Sequence, residues 1–333
     1  MEFPFAKPAD AAHTYHVTPD EVDELVLDLK SKGVPGLRID AFPQFTGRRV
    51  YALTVTGEKG DLQGRRKLFV SRPHAHEPAG TAAGTELIKA LTGYGDDAGR
   101  YAEWRQWAHE NFVITVVPDA NPGGSRRAPV RFWDGTIPNE RFFLWMFGES
   151  GEKPGERFPR VDAWDMRRVT PPALVGIAYE QIDAHTYVEP NRDYRSTFFR
   201  AFFDLDERYH YDVWLDLHQT EYLNSDRNAH VCLPTCYDEL PETHRMRFRA
   251  LGEAIHAGWR REGGRPLDAP AVPYRNDPAQ RTFLTRVWRP IVERMIAVMT
   301  EVQNNNPRTP VPTQVHLHLT AIRETMDWML SSS

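Results

Sequence analysis

The chain has 333 residues, with 41 Lys and Arg against 46 Asp and Glu, a formal net charge of −5. A general nucleic-acid binder would carry a basic excess instead, and no apolar run approaches the roughly 20 residues that span a bilayer. The length suits one large α/β domain or two smaller ones, and with no Ser/Gly linker, low-complexity tract or repeat, one domain is the better reading. The N-terminal stretch lacks the basic start and apolar core of a secretory signal, so the cytoplasm is the expected location. Composition says nothing about oligomeric state.

Thr18-Pro19-Asp20-Glu21 reads as a capping box with proline at the first helical position. Val22, Leu25, Val26 and Leu29 then form one helical face, which Gly33 and Pro35 end. Residues 50–56 and 67–71 read as strands separated by a turn at 57–60, and 85–91 as the start of a helix. Residues 111–117 form a strand ending at Pro118, and 196–205 a helix. Val213 to Leu217 read as a buried strand, with His218 directly after it. The spacing predicts helices over 243–260 and 278–303. Val315, Leu317, Leu319 and Ala321 alternate with His316, His318, Thr320 and Ile322, a period of two that predicts a last strand, with Glu324 just past its end. Strands alternating with helices imply an α/β fold, a mixed, mostly parallel sheet with helices on both faces.

The apolar run Leu68-Phe69-Val70 leads into PHAHEPAG at 73–80, which holds His74 and Glu77 in a His-x-x-Glu pair. Catalytic zinc takes three protein ligands from His, Glu, Asp or Cys and keeps a position for water. A four-residue pattern recurs by chance, so the pair needs a third ligand at another strand end. His218 supplies it, and ligands in open α/β sheets bind outside the carboxyl ends of strands. His76 competes with His74 but lacks the three-residue spacing to Glu77. It reads as a group pointing elsewhere or hydrogen-bonding a ligand, and Asp216 as a carboxylate behind His218 or a strand-end cap. Cys232 and Cys236 have no second cysteine pair to complete a zinc site and read as core or loop residues.

In this order along the chain, TYHVTPDEVDELVLDL, GRRVYALTVTG, PHAHEPAGT, VVPDANPGG, EPNRDY, LDLHQTE and HLTAIRET resemble the successive landmarks of the zinc metallocarboxypeptidase family, the carboxypeptidase A-like funnelins. The resemblance runs from about Tyr15 to the end and implies a single catalytic domain over 1–333. It implies one Zn²⁺ per chain on His74, Glu77 and His218, with Glu324 as general base toward a water activated by the ion. It implies an oxyanion-stabilising arginine among Arg126, Arg127 and Arg131, of which Arg131 fits best and Arg127 is the reserve. Asn191 and Arg192 would clamp a substrate carboxylate, and Tyr274 is the nearest candidate for the tyrosine that closes over substrate. The stretch at about 132–189 departs from the family as an aromatic-rich insertion. It reads as a cap near the active site or as a satellite cluster or oligomer contact. The implied function is hydrolysis of a C-terminal peptide or peptide-like amide bond in a short peptide or amino-acid conjugate with a free carboxylate. An amidohydrolase that deacylates a small N-acyl amino acid is the alternative. A non-catalytic binding protein of the same fold is the third reading.

Overall fold

The computed structural model describes residues 14–57, 62–96, 99–149, 160–168, 174–221 and 225–332. Seven strands form the main sheet: β1 Leu37–Pro43, β2 Arg49–Val55, β3 Arg66–Ser71, β4 Phe112–Val117, β5 Val213–Thr220, β6 Ala229–Cys232 and β7 Ile296–Gln303. Their order is β1-β2-β4-β3-β5-β7-β6. The central strands β4, β3, β5 and β7 run parallel, and the outer ones pair antiparallel. Strands covered on both faces read as unbroken apolar runs, as Leu68-Phe69-Val70 and Val213 to Leu217 do; all are buried.

The larger helices are α1 Pro19–Lys32, α2 Pro78–Thr92, α3 Ala102–Asn111, α4 Asn139–Phe147, α5 Thr197–Tyr209, α6 Glu242–Arg261, α7 Pro278–Val292 and α8 Val311–Ser331. The capping box of α1 is formed: Thr18 accepts from the Glu21 amide, and the Glu21 carboxylate accepts from the Thr18 amide. Helices lie on both faces of the sheet. On one face Trp214 of β5 stacks on Phe202 of α5 at 3.9 Å and packs 4.8 Å from Trp288 of α7. On the other, Leu217 meets α2, whose Gly80 has no room for a side chain: a Cβ there would lie 2.8 Å from the Arg72 side chain. Among the described residues, no helix is long and apolar enough to cross a membrane.

Two expectations are corrected. Residues 278–303 are not one helix; α7 ends at Val292 and β7 begins at Ile296. A buried strand and a buried helix both read as apolar runs, and periodicity cannot separate them. The expected strand at 315–322 lies within α8, a 21-residue helix with a proline in its first turn. Val315 to Ile322 are all buried, so the alternation of residue type there marked no division between a buried and an exposed face. Helix α2 also starts at Pro78, earlier than the expected 85. Strands β1 and β6 had no reading in the sequence. Most of the turn expected at 57–60 lies outside the described residues, as do 150–159 and 169–173 of the insertion.

The described parts of the insertion are ordered. Short strands Gly148–Glu149 and Leu174–Val175 pair, as do Trp164–Asp165, Thr186–Val188 and Glu180–Gln181. Trp133, Phe142, Met146, Phe147 and Ile177 form a separate apolar cluster with Ala75 of the His-x-x-Glu turn. The insertion is therefore a satellite cluster by packing, but one built against the candidate site.

Candidate functional site

Three side chains converge where β3 and β5 end. His74 Nδ1 lies 3.0 Å from Glu77 Oε1 and 3.1 Å from His218 Nδ1. His218 Nδ1 lies 3.4 Å from the same Glu77 oxygen. Ligands of a tetrahedral ion at about 2.1 Å stand about 3.4 Å apart, so this triangle is the size of one face of a zinc tetrahedron. All three residues are buried, and they are the one group of metal-ligating side chains found among the described residues.

The other ring nitrogens fix the proton positions. His218 Nε2 donates to Asp216 Oδ2 at 2.6 Å. His74 Nε2 donates to Glu189 Oε1 at 3.0 Å and Asn191 Oδ1 at 3.2 Å. In each neutral ring the proton then sits on Nε2, and the Nδ1 lone pair points into the cluster. Two lone pairs and a carboxylate directed at one another repel without a cation between them, so the donor set fits a bound metal. Burial alone would lower both imidazoles; neighbouring carboxylates, chiefly Glu77, outweigh it and raise them, His218 well above its ordinary value. For Glu77 burial acts upward, and the two imidazoles outweigh it to hold the carboxyl well below its ordinary range.

The two histidines are held from behind. Asp216 accepts from Ser71 Oγ at 2.6 Å, and Ser71 accepts from Trp214 Nε1 at 2.7 Å. The turn bearing His74 is tied down by Asn304, which donates to the His76 carbonyl at 3.0 Å. His76 itself stacks on His74 at 5.2 Å, and burial pushes its ring down to about 3. It stands 3.5 Å from Glu77, outside the converging set, and also lines the pocket described next.

The cluster opens into a pocket of about 240 Å³. Glu301, next to His218 in the β5–β7 register, lines it. Its Oε2 is buried without a hydrogen-bond partner. Burial pushes this carboxyl up to about 7, with His218 pulling down and Glu77 pushing up. On another wall Glu189 receives two arginines. Arg160 of the insertion grips it with Nη2 at 2.6 Å and Nε at 3.1 Å, and Arg192 Nε lies 3.0 Å away. Tyr274 Oη accepts from Arg192 at 2.9 Å and Arg160 at 3.1 Å. Two guanidiniums against one carboxylate leave a net positive wall.

No family model matches the sequence, and no curated protein is detectably similar to it. Solved structures are. The chain superposes on a metallo-carboxypeptidase from Burkholderia cenocepacia with a TM-score of 0.58 at 14% identity, over 94% of this chain and 69% of that one. It superposes on bovine thrombin-activatable fibrinolysis inhibitor, in complex with tick carboxypeptidase inhibitor, with a TM-score of 0.60 at 12% identity, over 97% and 100%. A metallo-carboxypeptidase from Pseudomonas aeruginosa, in complex with (2-guanidinoethylmercapto)succinic acid, matches with a TM-score of 0.52 at 16% identity, over 94% and 68%. The fold is that of the carboxypeptidase A-like family.

Within this carboxypeptidase fold the residues singled out in the sequence divide. His74, Glu77, His218, Asn191, Arg192 and Tyr274 all line the one pocket. Glu324 does not: it sits in α8, bonded to Arg261 at 2.6 Å and to Arg323 at 2.8 Å. Arg131 is also elsewhere, paired with Glu21 and donating to the Tyr15 carbonyl at 2.7 Å. Arg127 donates to the carbonyls of Val175, Gly176 and Tyr179 and so braces the insertion. Arg126 is exposed, 3.6 Å from Asp20. Glu301, Arg160 and Glu189 were missed. The signal for Glu301 was present, a lone carboxylate in the apolar run IAVMTEVQ, but it lay inside a stretch read as helix. Arg160 had no local signal, because its place is set by the path of the insertion.

Proposed function

We propose that this protein is a zinc-dependent carboxypeptidase that hydrolyses the C-terminal peptide or peptide-like amide bond of a short substrate. One observation carries the reading: a buried His₂Glu set shares its pocket with Glu301, a half-buried carboxylate whose Oε2 is buried and unpartnered, with the buried Arg192 and with the half-buried Arg160. His74, Glu77 and His218 would hold the ion, which supplies Lewis-acid polarisation and an acidified water when bound. Glu301, rather than Glu324, acts as general base. Its raised pKa suits a group that takes a proton from water and then passes it to the leaving nitrogen. Arg160 takes the oxyanion role that the resemblance assigned to Arg131, because it is the insertion's cation in the pocket. Asn191 and Arg192, with Tyr274, receive the terminal carboxylate through the planar fork that guanidinium offers.

Phe143, Met146 and Phe147 of α4 wall the pocket, which supports short substrates over folded chains. The same wall favours the second reading, deacylation of a small N-acyl amino acid. A ladder from N-acyl amino acids to tetrapeptides separates the two by which length has the higher kcat/KM. Cys232 and Cys236 are free thiols, which supports a reducing compartment such as the cytoplasm.

The two arginines are tested together. Arg192→Ala is expected to weaken catalysis by about 2 kcal/mol on substrates with a free carboxylate and hardly at all on their amidated forms. Arg160→Ala is expected to lower kcat by about a hundredfold on both. Equal losses for free and amidated substrates in Arg192→Ala would mean that Arg192 supports the fold rather than reading the carboxylate.

A further inference from the structure

Strand β1 is the outermost strand on its side of the sheet, and among the described residues no strand pairs with its free edge. The bonds at its two ends show which backbone groups face outward. Gly36 O accepts from Thr56 N, and Gln44 N donates to Arg48 O, both at 2.8 Å. Ladder bonds alternate along an antiparallel pair, so residues 38, 40 and 42 bond to β2, while Leu37, Ile39, Ala41 and Pro43 turn their backbone away from it. Leu37 N donates instead to Val34 O at 3.3 Å, and proline has no N–H. The outward donors of β1 are therefore those of Ile39 and Ala41.

Its side chains alternate as well. Leu37, Ile39 and Ala41 line a groove of about 330 Å³ together with Val26, Leu27 and Leu29 of α1, and Leu27 is 62% exposed. Arg38 and Asp40 lie on the opposite face, 3.0 Å apart, and Arg208 of α5 holds Asp40 at 2.9 Å. A bare edge invites another strand, and charges commonly blunt it. Here the two charges are opposite in sign and symmetric about Ile39, so the edge is complementary to a copy of itself. In antiparallel self-pairing centred on Ile39, Arg38 of each copy faces Asp40 of the other. The Ile39 and Ala41 N–H groups then meet the carbonyls of Ile39 and Leu37. A centre on Arg38 would set two arginines face to face, and a centre on Asp40 two aspartates, both unfavourable. A centre on Ala41 would set Asp40 against Phe42 and make no ion pair. The centre on Ile39 also sets Leu37 against Ala41 and Ile39 against Ile39. The groove floor then continues across the axis, with α1 of each copy on the same face.

We propose that the protein forms a twofold dimer in which β1 pairs antiparallel with β1 of a second copy, centred on Ile39, so that the two sheets join into one. Such an interface is isologous: each Arg38–Asp40 contact occurs twice.

Sedimentation velocity on the full chain, from nanomolar to tens of micromolar, tests it. The wild type is expected to be a dimer at the upper end of that range, weakened by added salt. Arg38→Asp and Asp40→Arg each place like charges at both symmetric contacts and are expected to weaken the dimer by about thirtyfold. An equimolar mixture of the two variants has opposite charges at both contacts and is expected to regain most of the wild-type affinity. The bridge within one chain is lost in the mixture as it is in each variant alone, so recovery reports the contact between copies. Leu27→Glu, at an exposed position on the groove, is expected to weaken the dimer with Tm unchanged. A wild type that is monomeric at every concentration overturns the proposal and leaves the groove to another occupant. So does a dimer that both charge variants leave intact, or one that they break and mixing fails to restore. Where a charge variant melts early, Leu27→Glu decides, and an undiminished dimer in that variant overturns the proposal.

Discussion

Glu301→Gln is expected to lower kcat by roughly 10²–10⁴, the range spanned by positioned acid–base groups, while zinc content stays at the wild-type level. Glutamine keeps the shape of the side chain but cannot take a proton. The substitution removes a half-buried carboxyl that has no hydrogen-bond partner on Oε2, so little structure is lost with it. The pH profile carries the same information. In the wild type the acidic limb of kcat/KM is expected near 7, where the Glu301 carboxyl gives up its proton, with activity falling as pH drops below it. Glu324→Gln is the contrast. That side chain is held by Arg261 and Arg323 on α8, and its loss is expected to cost about 1–2 kcal/mol of stability while kcat stays near wild type. Near-normal turnover in Glu301→Gln, or a collapse of turnover in a folded Glu324→Gln with full metal, would reverse the assignment.

Loss of the metal is expected to abolish activity altogether. His218→Ala deletes one of the three converging donors and leaves the Asp216 carboxylate without its imidazole. Its zinc content should fall from about one per chain toward zero under conditions that saturate the wild type. The apo wild type should also unfold earlier. An ion present at a thousand times its Kd stabilises by about 4 kcal/mol, and about 1.5 degrees per kcal/mol for a domain of this size gives a Tm difference of roughly six degrees. Acid should release the ion. The ligand imidazoles must be unprotonated on Nδ1 to hold the ion, so protons compete with it as pH falls, and occupancy is expected to decline toward acid pH. Atomic absorption and thermal melts across pH, with and without chelator, measure both effects. Full zinc occupancy in His218→Ala would place the metal on other residues.

The sequence by itself determined the elements whose signals are local. Thr18 to Glu21 caps α1 because a hydroxyl and a carboxylate three residues apart satisfy each other's amides. The apolar runs that end at His74 and His218 deliver those rings to the sheet edge, because parallel central strands are buried on both faces. That is why the His₂Glu set could be read from spacing and order, whereas Asn191 and Arg192 were reached through the resemblance to the carboxypeptidase family. Tertiary structure alone decided which carboxylate joins them. Residues 315–322 are all buried, and 296–303 are buried but for the half-buried Met299 and Glu301, so little polar–apolar contrast remains on which a period of 2 or 3.6 depends. Reading 296–303 as helix and 315–322 as strand put Glu324, and not Glu301, at the expected strand end. Only pairing of β7 with β5, which sets Glu301 beside His218, resolves it. Arg160 was decided in the same way. It lies 83 residues after Glu77 on an insertion with no repeating pattern, and the Glu189 carboxylate that fixes it is brought up by a different segment. A contact of that kind comes from the chain's path through space, which no spacing along the chain records.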